Sequence, residues 1–147
     1  MAELLFLILA VAPLVAPCVF VIAATALALR AYRRLPGSGW HLPGVATCTL
    51  VVVMAGAAAL GAYAWGVMSG FYVLDPDQMC AALGVPGDHI VTRETLPVSA
   101  QCVTSDGVGT ELVPGWVNPV IFLGLALFVS GFVMGILAGV RRRRGRR

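Results

Sequence analysis

The chain has 147 residues, is 59% hydrophobic and only 12% charged, and has a mean hydropathy of +0.91. Soluble domains are about half apolar and about a quarter charged, so this composition excludes an ordinary water-soluble domain and points to lipid as part of the solvent. The net charge of +3 averages over segregated signs, and every basic residue is arginine.

The first apolar segment spans 4–29 and carries no charge. It exceeds the roughly 20 residues that a helix needs to cross a hydrocarbon core. In lipid every backbone polar group must be satisfied internally, so a helix is expected. Arg30, Arg33 and Arg34 close it, and Leu35-Pro36-Gly37 breaks it. Its start, Met1-Ala2-Glu3, lacks the positive charge of a secretory signal, and its arginines follow the apolar run, so a retained span is expected and not a cleaved leader. Cys18 follows Pro17 and does not fit a lipoprotein signal. Pro13 and Pro17 share a face and are expected to bend the helix.

A short loop, 30–44, leads into the second span at 45–68, opened by Pro43-Gly44. Ala58, Ala62, Gly66 and Gly70 recur every four residues along it as a small-residue stripe. Tyr32 and Trp40 flank the short loop, and Tyr63, Trp65, Phe71 and Tyr72 gather at the end of the second span. Aromatic residues collect in this way at membrane–water boundaries.

The segment 69–118 is the only long polar stretch. It holds Asp75, Asp77, Asp88, Glu94, Asp106 and Glu111, leaving Glu3 as the one acid elsewhere. Asp75 suits an N-cap, Pro76 the first helical position, Gln78 the third position of a capping box, and Gly84 a stop. A short helix with Cys80 in its middle is therefore expected. After Pro86-Gly87 the chain reads as irregular. Val98, Ala100 and Cys102 then alternate with Ser99, Gln101 and Val103, and Ser105-Asp106-Gly107 supplies the turn of a hairpin.

The third span, 119–140, opens at Asn118-Pro119, with asparagine as the expected cap and proline at the first helical position. Gly131, Gly135 and Gly139 fall every four residues, and Gly124 lies one heptad earlier. This small-xxx-small ridge lets backbones approach closely, either between helices of one chain or against a second membrane protein. The tail, 141–147, carries Arg141, Arg142, Arg143, Arg144, Arg146 and Arg147. Such a run attracts anionic lipid headgroups at about 1 kcal/mol per charge near the surface, and nucleic acid is not an expected partner.

Arginine placement sets the expected orientation. The 30–44 loop and the tail hold nine of the ten arginines and belong in the cytoplasm. The N-terminus and 69–118 then face outward, where disulfides persist. A Cys80–Cys102 bond is expected there, because Cys18 and Cys48 lie within spans. The expected fold is thus an all-α membrane protein with three transmembrane helices, N-out and C-in. A small disulfide-stapled extracellular α+β cap joins helices 2 and 3. This layout resembles that of small multi-pass membrane proteins of GC-rich Gram-positive bacteria; the resemblance covers the layout alone and carries over no functional residue.

No chemical motif emerges. The loop cysteines are not arranged Cys-x-x-Cys. Asp75, Asp77, Asp88 and His89 match no metal-site spacing, and His41 and His89 sit in no nucleophile motif. No ionisable residue interrupts a span, whereas transport paths usually need one. No catalytic residue, metal or cofactor is therefore expected. The expected function is that of a non-enzymatic accessory or interaction subunit of a bacterial cell-envelope complex, embedded in the cell membrane. It would contact lipid and another membrane protein or its own copy through the glycine face. A component of an oligomeric channel or transporter is the second expectation. A lipid-acting enzyme using Asp88 and His89 is the third.

Overall fold

The computed structural model describes residues 2–33, 44–69 and 76–144. Within them the order is α1 (Ala2–Arg33), α2 (Val45–Met68), α3 (Pro76–Ala82), β1 (His89–Arg93), β2 (Ser99–Val103), β3 (Gly109–Glu111) and α4 (Val117–Arg144). Three of these helices are long and apolar enough to cross a membrane: Val11–Arg33, Val45–Met68 and Val117–Arg144. Apart from Val117 and Ile121, their buried side chains among the described residues are small, while Leu14, Ile22, Leu123, Phe132 and Ile136 point outward. Apolar exposure on this scale is the reverse of a water-soluble helix, and it suits a hydrocarbon environment. Thr25, Thr49 and Ser130 donate their hydroxyls to the carbonyls of Val21, Val45 and Ala126. These polar atoms are therefore satisfied within their own helices.

The chain divides into two compact units. One comprises 1–13 and 62–121; the other comprises 14–61 and 122–147.

The first unit contains the cap. Its antiparallel sheet runs in the order β1-β2-β3, with Ile90 opposite Cys102 and Cys102 opposite Thr110. The alternation expected along 98–103 is present: Val98, Ala100 and Cys102 are buried, and their neighbours are half-exposed. β1 was not expected, since 88–97 reads as irregular after Pro86-Gly87. Its β-branched run Ile90-Val91-Thr92 favours a pleated strand, and five register pairs to β2 decide the matter. The hairpin turn closes with Gly107 N–H on Thr104 O and with Gly107 at a positive φ of 80°. Helix α3 ends as its sequence anticipates. Gly84 (φ 69°) donates to Ala81 O, and Val85 donates to Cys80 O, the paired bonds of a Schellman motif. The core beneath the sheet is Ala62 of α2, Val98, Ala100 and Val113 of the cap, and Val117 and Ile121 of α4.

In the second unit α2 lies close to both α1 and α4. A Cβ added at Gly61 would come within 2.9 Å of Ala16 Cβ, and one at Gly124 within 2.9 Å of Ala59 Cβ. Only small residues permit this spacing.

Arg34, the Leu35-Pro36-Gly37 breaker, Trp40, His41, Pro43, Gly70, Phe71, Tyr72, Asp75, Arg146 and Arg147 lie outside the described residues.

Candidate functional site

Among the described residues, polar side chains converge in the cap. Its anchor is the disulfide between Cys80 of α3 and Cys102 of β2, both fully buried, with Cα atoms 6.1 Å apart. Since Cys102 sits in the central strand, the bond ties α3 to the strand that pairs with both neighbours. The same place demands a glycine beside it. A Cβ on Gly87 would meet Cys102 Cβ at 2.8 Å and the Cys102 carbonyl carbon at 3.1 Å. The chain leaving α3 can therefore run against β2 only without a side chain at 87.

A second anchor joins the cap to α4, and it corrects the expected role of Asn118. The helix begins at Val117, so Asn118 lies inside it and is not its cap. The side-chain amide instead grips one residue of the cap from both sides. Asn118 Oδ1 accepts from Val98 N–H at 2.9 Å, and Asn118 Nδ2 donates to Val98 O at 2.9 Å. An amide matches a backbone peptide in having one donor and one acceptor side by side. Val98 enters β2 just after the cis Leu96–Pro97 bond, and its side chain packs beneath the sheet. Tyr63 of α2 adds a third tie by donating its hydroxyl to Glu94 O at 3.1 Å.

Two of the cap's acids, Asp88 and Glu111, are engaged in holding it together. Glu111 Oε1 accepts from Ala100 N–H at 2.9 Å and Val113 N–H at 3.4 Å; Oε2 accepts from Ser99 Oγ at 2.7 Å and Gln101 Nε2 at 3.1 Å. Burial pushes this carboxyl up, but the four hydrogen bonds to its ionised form outweigh burial and hold it below its ordinary value. Asp88 Oδ2 accepts Ser105 N–H at 2.8 Å, while Asp88 N–H bonds Val103 O. Asp88 thus pins the hairpin turn to the start of β1, with His89 exposed beside it. Among the described residues no group of three His, Cys, Asp or Glu side chains is placed to hold a metal ion.

The small residues read from the sequence fall in both units. In the first, Ala62 and Gly66 are buried, and a Cβ on Gly66 would meet Val117 and Val98 side chains at 3.0 and 3.2 Å. In the second, a Cβ on Gly124 would also meet Ala55 O at 3.0 Å. One on Gly131 would meet Val52 Cγ2 at 3.0 Å, and one on Gly135 would meet Cys48 Cβ at 3.4 Å. A Cβ on Gly139 would meet nothing within 4 Å. Ala58 is only half-buried; Ala55 and Ala59 are the buried alanines of that stretch. Of the every-fourth stripe, Ala62 and Gly66 are buried and Ala58 half-buried, and Gly70 lies outside the described residues. Positions 55, 59, 62 and 66 step by four, three and four and so share a face of a helix that turns once in 3.6 residues; Ala64, also buried, lies off that face. Arg141, Arg142, Arg143 and Arg144 form the exposed last turn of α4.

No family model matches the chain, and no curated protein or solved structure proved detectably similar to it.

Proposed function

We propose that the chain is a non-enzymatic integral subunit of a bacterial cell-envelope complex, N-out and C-in, whose cap docks another membrane or envelope protein. One observation carries this reading. The cap is tied down by a disulfide, an asparagine clamp and a carboxylate network, yet it leaves Leu83, Val91, Leu96 and Val108 exposed. Exposed apolar side chains held on a rigid frame are groups that a protein partner can bury at little ordering cost. The commitment of Asp88 and Glu111 to backbone donors points the same way, since each is engaged in holding the cap. Arginine placement supports the orientation.

The test is photocrosslinking in native membranes, with the reactive residue at Val91 or Val108. One dominant envelope protein is the expected adduct. Adducts to a second copy alone would move the weight to an oligomeric channel component. A monomer with no protein adduct at either site would end the subunit reading.

A further inference from the structure

The second unit holds a cavity of about 460 Å³ that the cap-docking reading does not use. It lies where α2 begins and α4 ends. Its walls are Val45, Met134, Leu137 and Ala138, its rim is Arg141 and Arg142, and Gly44 completes the lining. The five α4 residues step by three, one, three and one, so they form one face of that helix. The size falls within the range of small-ligand sites. The chemistry is split along the helix, apolar toward the middle of the span and doubly cationic at its end. A soluble anion would use the arginines and leave the apolar wall wet. A neutral hydrocarbon would use the wall and leave the guanidinium groups unmatched.

We infer that this cavity seats one anionic phospholipid, its phosphate against Arg141 and Arg142 and an acyl chain along Leu137, Ala138 and Met134. Guanidinium forks suit phosphate oxygens, and apolar burial continues where the charges stop. The inference rests on the chain spanning the membrane with its arginine tail at the headgroup level. It separates Arg141 and Arg142 from Arg143 and Arg144, which have the same charge but do not line the cavity.

The experiment uses the full chain reconstituted in bilayers containing phosphatidylglycerol or phosphatidylcholine. Retained lipid is read by native mass spectrometry, and insertion is checked by resistance to alkaline extraction. The wild type is expected to retain one phosphatidylglycerol in preference to phosphatidylcholine. R141Q/R142Q is expected to weaken that retention by about 30-fold, two charges at roughly 1 kcal/mol each. R143Q/R144Q should change it by less than about threefold, as screened charges beyond the site would. Ala138→Phe, which fills the apolar wall and leaves every arginine, should also lose the lipid. Equal losses from the two arginine pairs would overturn the inference in favour of diffuse attraction. Retention unchanged in Ala138→Phe would overturn it too. Displacement of the lipid by inorganic phosphate alone would show a phosphate site without a lipid one and would likewise overturn it. A chain that resists extraction yet retains no lipid refutes the cavity assignment alone, whereas a chain that is extracted refutes the membrane placement beneath it.

Discussion

The cap and the spans solve the same problem in opposite ways. Each must pair its backbone polar groups and bring segments close together. In the spans the helix pairs its own backbone, and closeness comes from what is missing: the side chain at Gly61 against Ala16, or at Gly124 against Ala59. In the cap the strands are short, and closeness comes from added chemistry: a disulfide, an amide clamp on Val98, and a carboxylate filling in for strand partners at Ala100 and Val113. A 50-residue polar segment cannot bury enough apolar area to hold itself together, so it needs cross-links. A span in lipid gains little from burial and needs shape. The two regions should therefore fail separately and under different insults.

The largest effect should come from the disulfide. Cys80→Ala with Cys102→Ala removes a 22-residue separation cross-link, worth about 3 kcal/mol on the chain-entropy model. Proteolysis of the cap should accelerate sharply, while helix content by circular dichroism stays near wild type. Joint loss of both signals would break the separation of cap from spans. Next comes Gly124→Leu, which drives a side chain into Ala59 and the Ala55 carbonyl, at a cost of about 2 kcal/mol for overpacking. Unfolding of the spans in detergent should shift, and the cap's proteolysis should not. Gly139→Leu is its control, because nothing lies within 4 Å of that position. If Gly139→Leu disrupts a crosslinked complex without altering stability, the end of the glycine ridge is a docking face.

Asn118→Ala removes both hydrogen bonds to Val98 and should cost about 1–2 kcal/mol, since the half-buried peptide loses its partners. Hydrogen exchange at Val98 should quicken first. Asn118→Asp keeps only the acceptor and should protect the Val98 amide better than alanine does.

The smallest effect concerns pH. Glu111 has its folded pKa lowered, so its contribution is present above the ordinary carboxylate range and is lost as pH falls through the folded value. Cap stability should therefore decline on acidification below about pH 4, and Glu111→Gln should flatten that decline. The carboxylate is largely exposed, so the change will be modest. An acid profile unaltered by the substitution would show that the network contributes geometry and no linkage.

Much of this was legible in the residues. The three long helices come from long charge-free runs, each long and apolar enough to cross a membrane as a helix. The α3 stop at Gly84 and the hairpin turn at Gly107 are local chemistry, set by which residue tolerates a positive φ. The pairing of Cys80 with Cys102 followed from there being two cysteines in the polar segment and two in the spans. The strand β1 was missed although its β-branched run was visible, because a strand exists only with a partner and the Pro-Gly before it reads as loop. Asn118 was misread because Asn-Pro is a sound local capping signal; the competing partner, Val98, is twenty residues away.

Taken alone, the sequence determined the number of apolar spans, the polar segment between the second and third, the separation of arginines from acids, and the local turns. Those properties depend on composition, or on contacts between near neighbours. Only the tertiary structure decided which small residues touch, why 87 must be glycine, that Glu111 holds two strands and a loop together, and that two of the tail's arginines share a cavity with an apolar wall. The glycine contacts and the Glu111 bonds to β2 join groups well separated in the chain, and the cavity sets Gly44 and Val45 beside a face that the period of α4 alone defines.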